Sequence, residues 1–200
     1  LGAGWVMNNV NAQPGIVDPN WHQASASAIA AEGLFTAHSG AQTSYIAASF
    51  ENGTFGNGSD VGVLNNWLIT PMFSTETAVT ISLWIRGDQD AGYFDKTVFN
   101  FSGGSSAVGD FHAIGSLDPV PTDAWHQFTV TVGAQGAGTM GRFAIQYTGN
   151  VADSNYIGID DLLIQTAADP GPNPSNVPEP ATMLVMATGL MGLAAARRRR

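Results

Sequence analysis

Apolar and polar residues alternate along most of the chain. Between residues 78 and 86, Val79, Ile81, Leu83 and Ile85 fall on one side and Thr80, Ser82, Trp84 and Arg86 on the other, which is the period-two signature of a half-buried strand. The same enrichment in β-branched and aromatic residues marks 5–8, 43–50, 66–70, 96–102, 127–132, 142–148 and 156–165, with clusters of Gly, Pro, Asn and Asp between them. About eight short strands with little helix predict an all-β fold, an antiparallel β-sandwich. The one helical candidate is 24–33, an alanine- and serine-rich stretch too short to stand alone. No internal repeat is present.

The alternation stops near residue 167, so 1–167 is expected to be the sandwich domain. Residues 168–176, which include D-P-G-P-N-P-S-N, form a proline-rich spacer that can join neither sheet nor helix. Then come Val177, Pro178, Glu179 and Pro180, sixteen uncharged residues from Ala181 to Ala196, and Arg197, Arg198, Arg199 and Arg200 at the end. As a helix the apolar run would extend ~24 Å, a little short of a hydrocarbon core of ~30 Å; snorkelling arginines and local thinning close such a gap. A short C-terminal transmembrane helix is therefore expected, with the arginines on the cytoplasmic side and the sandwich outside the cytoplasm. A buried core helix would not end in four unpaired charges.

Val-Pro-Glu-Pro, a short apolar helix and a terminal arginine cluster together resemble the PEP-CTERM sorting signal of Gram-negative bacteria, across residues 177–200. The resemblance implies recognition by an exosortase, an integral membrane cysteine transpeptidase. It further implies transient anchoring in the inner membrane, removal of the tail, and delivery to the cell surface or extracellular matrix. It speaks to sorting and not to activity.

Charge sharpens this picture. Residues 1–177 hold fifteen acids against Arg86, Lys96 and Arg142, a formal charge of −12. Such a surface repels nucleic acid and anionic membrane and suits cations or neutral glycans. Cysteine is absent, which excludes disulfides, thiol nucleophiles and thiolate metal sites. The first residues, Leu1-Gly2-Ala3-Gly4-Trp5, contain no initiator methionine, basic region or apolar stretch of a signal peptide. Export needs such a segment, so the N-terminus is expected to be incomplete.

Six segments in order carry a second likeness: W-V-M-N-N (5–9), Q-T-S-Y-I-A-A-S-F (42–50), N-W-L-I-T-P (66–71), S-L-W-I-R (82–86), G-R-F-A-I-Q-Y (141–147) and N-Y-I-G-I-D-D (155–161). Together, over 5–166, they resemble the choice-of-anchor J domain, a jelly-roll module related to cleaved-adhesin and MAM-like domains. The resemblance implies a jelly roll, surface display and an adhesive or binding role, without an enzymatic activity.

The adjacent acids Asp160 and Asp161 are the main chemical feature. Strict alternation through 156–165 puts Ile157, Ile159, Asp161 and Leu163 on one face and Tyr156, Gly158, Asp160, Leu162 and Ile164 on the other. One carboxylate thus points towards the interior, and a buried carboxylate must be neutralised, paired or bound to metal. A structural Ca²⁺ ion would satisfy it, and the resemblance to jelly-roll binding modules points the same way. Asp160 is the favoured ligand, with Asp161 beside it and Glu51 and Asp110 as candidate partners. The alternative is a rim aspartate held by backbone amides or paired with Arg86 or Arg142.

Five tryptophans invite a glycan-binding reading, because sugars stack on exposed indoles. Trp67 and Trp84 lie within strands and are expected in the core; Trp21 and Trp125 sit by loops and are the surface candidates. Catalytic patterns are thin. G-A-G-T-M-G (136–141) has dinucleotide-loop spacing but precedes a strand, so it reads as a hairpin loop. His22, His38, His112 and His126 are scattered without metal-ligand spacing, and no G-x-S-x-G occurs. Asn52, Asn57 and Asn100 fit the glycosylation pattern but read as turn or strand residues serving the backbone.

The sequence reading is thus a non-enzymatic binding or structural module, exported and associated with extracellular polysaccharide. A glycan-active enzyme on a jelly-roll scaffold is the alternative, and it requires two carboxylates in one cleft.

Overall fold

The computed structural model describes residues 1–10, 20–53 and 62–166. Leu1–Ala167 is a compact unit, built from β1 (Val6–Asn9), β2 (His22–Gln23), α1 (Ala26–Glu32), β3 (Ile46–Ser49), β4 (Val63–Ile69), β5 (Phe73–Ser74), β6 (Val79–Gly87), β7 (Lys96–Ser102), β8 (His112–Leu117), β9 (His126–Val132), β10 (Met140–Asn150) and β11 (Tyr156–Thr166). Two sheets face each other as a jelly roll. The first has the order β1-β4-β10-β7-β8, with β5 beside the start of β10, and the second β2-β3-β11-β6-β9. Every pairing is antiparallel.

The alternating strands fill the space between the sheets. Val79, Ile81, Leu83 and Ile85 of β6 are fully buried against Phe99 and Phe101 of β7 and Phe143, Ile145 and Tyr147 of β10. Fully burying a side chain of this size stabilises the fold by about 1.5–3 kcal/mol. The Phe99 ring stacks on Phe128 of β9 at 3.8 Å, and this packing explains Gly115 on β8. A Cβ there would meet the Phe128 ring at 2.8 Å.

Buried asparagines tie the sheets at one end. Asn66 of β4 donates to the Asn52 side-chain oxygen at 2.9 Å. The same oxygen accepts the Ser49 amide at 3.2 Å, and Asn9 donates to the Asn52 carbonyl at 2.7 Å. Both Asn52 and Asn66 are almost wholly buried, so each bond replaces water that neither residue can reach. Asn100 also serves the backbone, donating to the Val98 carbonyl.

A second, smaller core lies outside the second sheet. Ala24, Leu34, Phe35, Tyr45, Ala47 and Tyr156 are buried together, with Ala28 and Ile29 of α1 packed against them. The helix has only seven residues, capped by the Ser25 hydroxyl on the Ala28 amide and ended by Gly33 at φ 71°. That length is marginal alone, and the packing of its apolar side supplies the rest. Gly158 of β11 lets this layer approach, since a Cβ would lie 2.7 Å from Phe35 and 2.8 Å from Tyr45.

Alternation in β11 breaks once. The register with β6 shifts between Asp160 and Leu163, and Asp161 adopts a left-handed φ of 47°. This β-bulge adds one residue. Before it Ile157 and Ile159 face the core, whereas after it Leu162 and Ile164 do and Leu163 is exposed.

Candidate functional site

Asp160 does not point into the interior. It faces outward from the second sheet, on the side of Tyr156, yet is 8 % exposed beneath His38 and Ser39. The bulge that follows keeps Asp161 out of the core as well. Its Oδ2 accepts the amides of His38 at 2.9 Å and Ser39 at 3.1 Å, and its Oδ1 accepts that of Asp161 at 2.8 Å. Asp161 continues the clasp: His38 Nδ1 lies 2.8 Å from one of its oxygens, and the Ser39 hydroxyl donates to the other at 2.7 Å. The His38 contact first, and then that of Ser39, hold the Asp161 carboxyl below the usual aspartate range. Neither Arg86 nor Arg142 reaches Asp160. Arg142 donates to the carbonyls of Gly4, Thr70 and Gly104, and Arg86 lies over the Phe35 ring at 4.9 Å.

Glu51 does not join this pair. It follows β3 at the end where Ser49 pairs with Tyr156. Asp160 lies four residues further along β11, about 13 Å away at the usual strand rise. Asp110 belongs to a turn over the other sheet, where it accepts the Ser105 hydroxyl. The acids singled out from sequence therefore do not fit a shared calcium ion, and no group of three acid or histidine side chains suited to a metal converges among the described residues.

The aromatics also differ from expectation. Trp21 is 3 % exposed within the main core, its indole N–H directed to the Asn66 carbonyl, so it offers no face to a glycan. Trp125 is half-buried, donates to the Thr36 carbonyl at 3.0 Å and sets its edge against Phe35 and Tyr45. Trp84 is not in the inter-sheet core. It stands on the outer face of β6, stacked on His38 at 3.9 Å. Trp67 is buried, but on the outer face of the first sheet beneath Phe111 and Val108. Sheet position, rather than residue type, decides which face a strand tryptophan takes.

A cleft of about 310 Å³ opens at the other end of β11. Ser25, Ala28 and Glu32 form one wall at helical spacing. Ser49, Phe50 and Glu51 at the end of β3 form another, and Asn155 and Tyr156 at the start of β11 close it. His22 and Leu34 complete the lining. Asn155 is positioned from behind: its amide donates to buried Asp95 at 2.9 Å and its side chain to Asp88 at 3.0 Å. Burial, above all, pushes the Asp95 carboxyl upward. The Tyr156 hydroxyl, 3.2 Å from that of Tyr45, is pushed far up, chiefly by burial, then by Tyr45 and by the charges of Glu32 and Asp88. Only Glu51 of this set is singled out by sequence reasoning. The others lie in three segments that pattern alone does not join, although Glu32 at a helix end and Asn155 before a strand were visible as polar punctuation.

Residues 177–200 lie outside the described residues, and so do Val177, Pro180 and the four arginines. In sequence, residues 176–200 match the PEP-CTERM protein-sorting motif. The chain carries a PEP-CTERM sorting motif. Such a motif implies export and sorting to the cell surface. No curated protein matches the chain. Among solved structures it is similar to the K1 cleaved adhesin domain of Lys-gingipain from Porphyromonas gingivalis W83, with 16 % identity over 84 % of this chain and 94 % of that one and a TM-score of 0.62. The K3 domain of the same protein gives 20 % identity, 82 % and 90 % coverage and a TM-score of 0.55, and the K2 domain of Lys-gingipain 21 %, 83 %, 91 % and 0.53. At these identities the likeness shows the fold, a cleaved-adhesin-type jelly roll. The chain therefore carries a sorting motif in addition to that sandwich.

Proposed function

We propose that the protein is a surface-displayed, non-enzymatic binding module of the extracellular polysaccharide matrix, held briefly in the inner membrane and released when an exosortase cuts its tail. The observation that carries this reading is the PEP-CTERM motif at 176–200 on a chain whose preceding unit is an adhesin-type jelly roll. The acid-rich composition suits polyhydroxylated or cationic ligands, and the cleft supplies a concave place for one. In cells that contain an exosortase, the intact chain is expected to reach the surface fraction in a shortened form. Deleting residues 177–180 should leave it full length and cell-associated. Surface delivery that is indifferent to the deletion would refute the sorting half. The binding half is tested by retention of the purified chain on native matrix polysaccharide.

A glycan-active enzyme is the second reading, because Glu32 and Glu51 line one cleft and glycoside hydrolysis needs two carboxylates across it. Release of reducing ends by the wild-type chain, abolished in Glu51→Gln, would favour it over binding.

A further inference from the structure

The start of β11 and its central bulge use their polar groups differently. At the bulge every carboxylate oxygen has a protein partner. In the cleft, the Glu32 and Glu51 carboxylates make no hydrogen bond or ion pair among the described residues, and none of the ten lining residues is Lys or Arg. Ser49 is 8 % exposed, lines the cleft, and its hydroxyl oxygen is buried without a hydrogen-bond partner. A buried hydroxyl left unsatisfied is costly unless a ligand completes it.

Apolar surface lies beside these polar groups. Phe50 and the Tyr156 ring line the cleft, and Phe50 also borders a neighbouring hollow with Tyr93. Tyr93 and Phe94, 42 % and 62 % exposed, stand on the loop that carries Asp88 and Asp90, and both aspartates approach the Asn155 side chain. Large exposed aromatics of this kind present a face on which the C–H side of a pyranose can lie. The cleft volume sits at the lower end of the about 300–1,000 Å³ usual for small-ligand sites, which favours one sugar unit inside with its neighbours along the rim.

We propose that this cleft binds an aminoglycan through a hexosamine unit whose amine is free, as in a partly deacetylated polysaccharide. The ammonium group donates charge-assisted hydrogen bonds to the Glu32 and Glu51 carboxylates, the Ser49 hydroxyl and the Asn155 side-chain amide face ring hydroxyls, and Phe50 and Tyr93 carry the apolar face. A neutral glycan would leave both carboxylates without a counter-charge. This assignment rests on the binding-module reading above and specifies its ligand.

The test is calorimetric titration of the full chain with glucosamine tetramer, N-acetylglucosamine tetramer, cellotetraose and ethanolamine, alongside retention on native matrix polysaccharide. Binding of the glucosamine tetramer is expected at least about tenfold tighter than the other three, weaker in high salt, and about tenfold weaker in both Glu51→Gln and Glu32→Gln with unchanged melting temperature. Glu32 is exposed on α1, so Glu32→Gln remains informative if Glu51→Gln disturbs folding. Equal affinity for acetylated and free-amine tetramers overturns the proposal. So does ethanolamine binding as tightly as the tetramer, or Ca²⁺ alone raising the melting temperature through Glu51. Retention on native polysaccharide without affinity for glucosamine tetramer overturns this ligand and leaves the module reading intact; failure of both overturns both.

Discussion

Asp160 and Glu51 stand at opposite ends of the β3–β11 strand pairing, and their surroundings differ in one respect. Asp160 is surrounded by donors that the chain itself supplies, three of them backbone amides. Glu51 faces an open cleft in which the Glu32 carboxylate and the Ser49 hydroxyl likewise have no hydrogen-bond partner from the described residues. A satisfied carboxylate fastens a loop, whereas an unsatisfied one is available to something outside. The more conspicuous acids in the sequence, the adjacent pair at 160 and 161, are thus the structural ones.

This contrast can be broken by mutation. The largest effect is expected from Asp160→Ala, which strips three part-buried amides of their acceptor. Each such group left unpaired costs about 1–3 kcal/mol, so a total near 3 kcal/mol and a clear fall in the denaturant midpoint are expected. Asp160→Asn, which keeps one acceptor oxygen, should lose less. Next comes Gly158→Ala: its Cβ would press on Phe35 and Tyr45, and overpacking of this kind costs about 1–3 kcal/mol, read in the same melts. Glu51→Gln and Glu32→Gln are expected within about 0.5 kcal/mol of wild type while lowering ligand affinity. If Glu51→Gln destabilised the fold as much as Asp160→Ala, the two ends would be alike and the contrast would collapse.

The smallest effect belongs to Asp161, whose side chain is 40 % exposed. Exposed pairs contribute about 0–1 kcal/mol, so Asp161→Asn should change stability by less than that at neutral pH. Its carboxyl is depressed in the folded state by His38 and Ser39. The associated stability is therefore present above the ordinary aspartate pKa and lost as the pH falls through the lower folded value. Melting temperature against pH should consequently fall less steeply below about pH 4 in Asp161→Asn than in wild type. An identical acid limb in both proteins would show that the clasp contributes nothing electrostatic.

Much of the sandwich was legible because period two survives wherever one face of a strand is buried. The alternation at 79–85 and the aromatic run at 96–102 correspond to β6 and β7. β8 was not, since Gly115 replaces a side chain where Phe128 fills the space, and packing thereby erases the pattern. β2 and β5, two residues each, are too short to show a period. That Asp160 lies beneath His38 and Ser39 rather than in the interior could not be read from its strand, and neither could the bulge, because an extra residue changes phase without changing composition. The cleft was least legible of all. Its walls come from residues 22–34, 49–51 and 155–156, and proximity between such segments is a product of topology.

That distance in sequence also sets the order of events. Asn155 and Tyr156 close the cleft only once β11, the last strand among the described residues, has taken its place between β3 and β6. Contacts separated by about a hundred residues are late to form, since closing so long a loop costs entropy before any contact offsets it. An unfinished or still-unfolded chain would carry every residue of the cleft and yet possess no cleft. On the proposed reading, ligand capture begins only after β11 docks, a built-in delay between making the binding groups and using them.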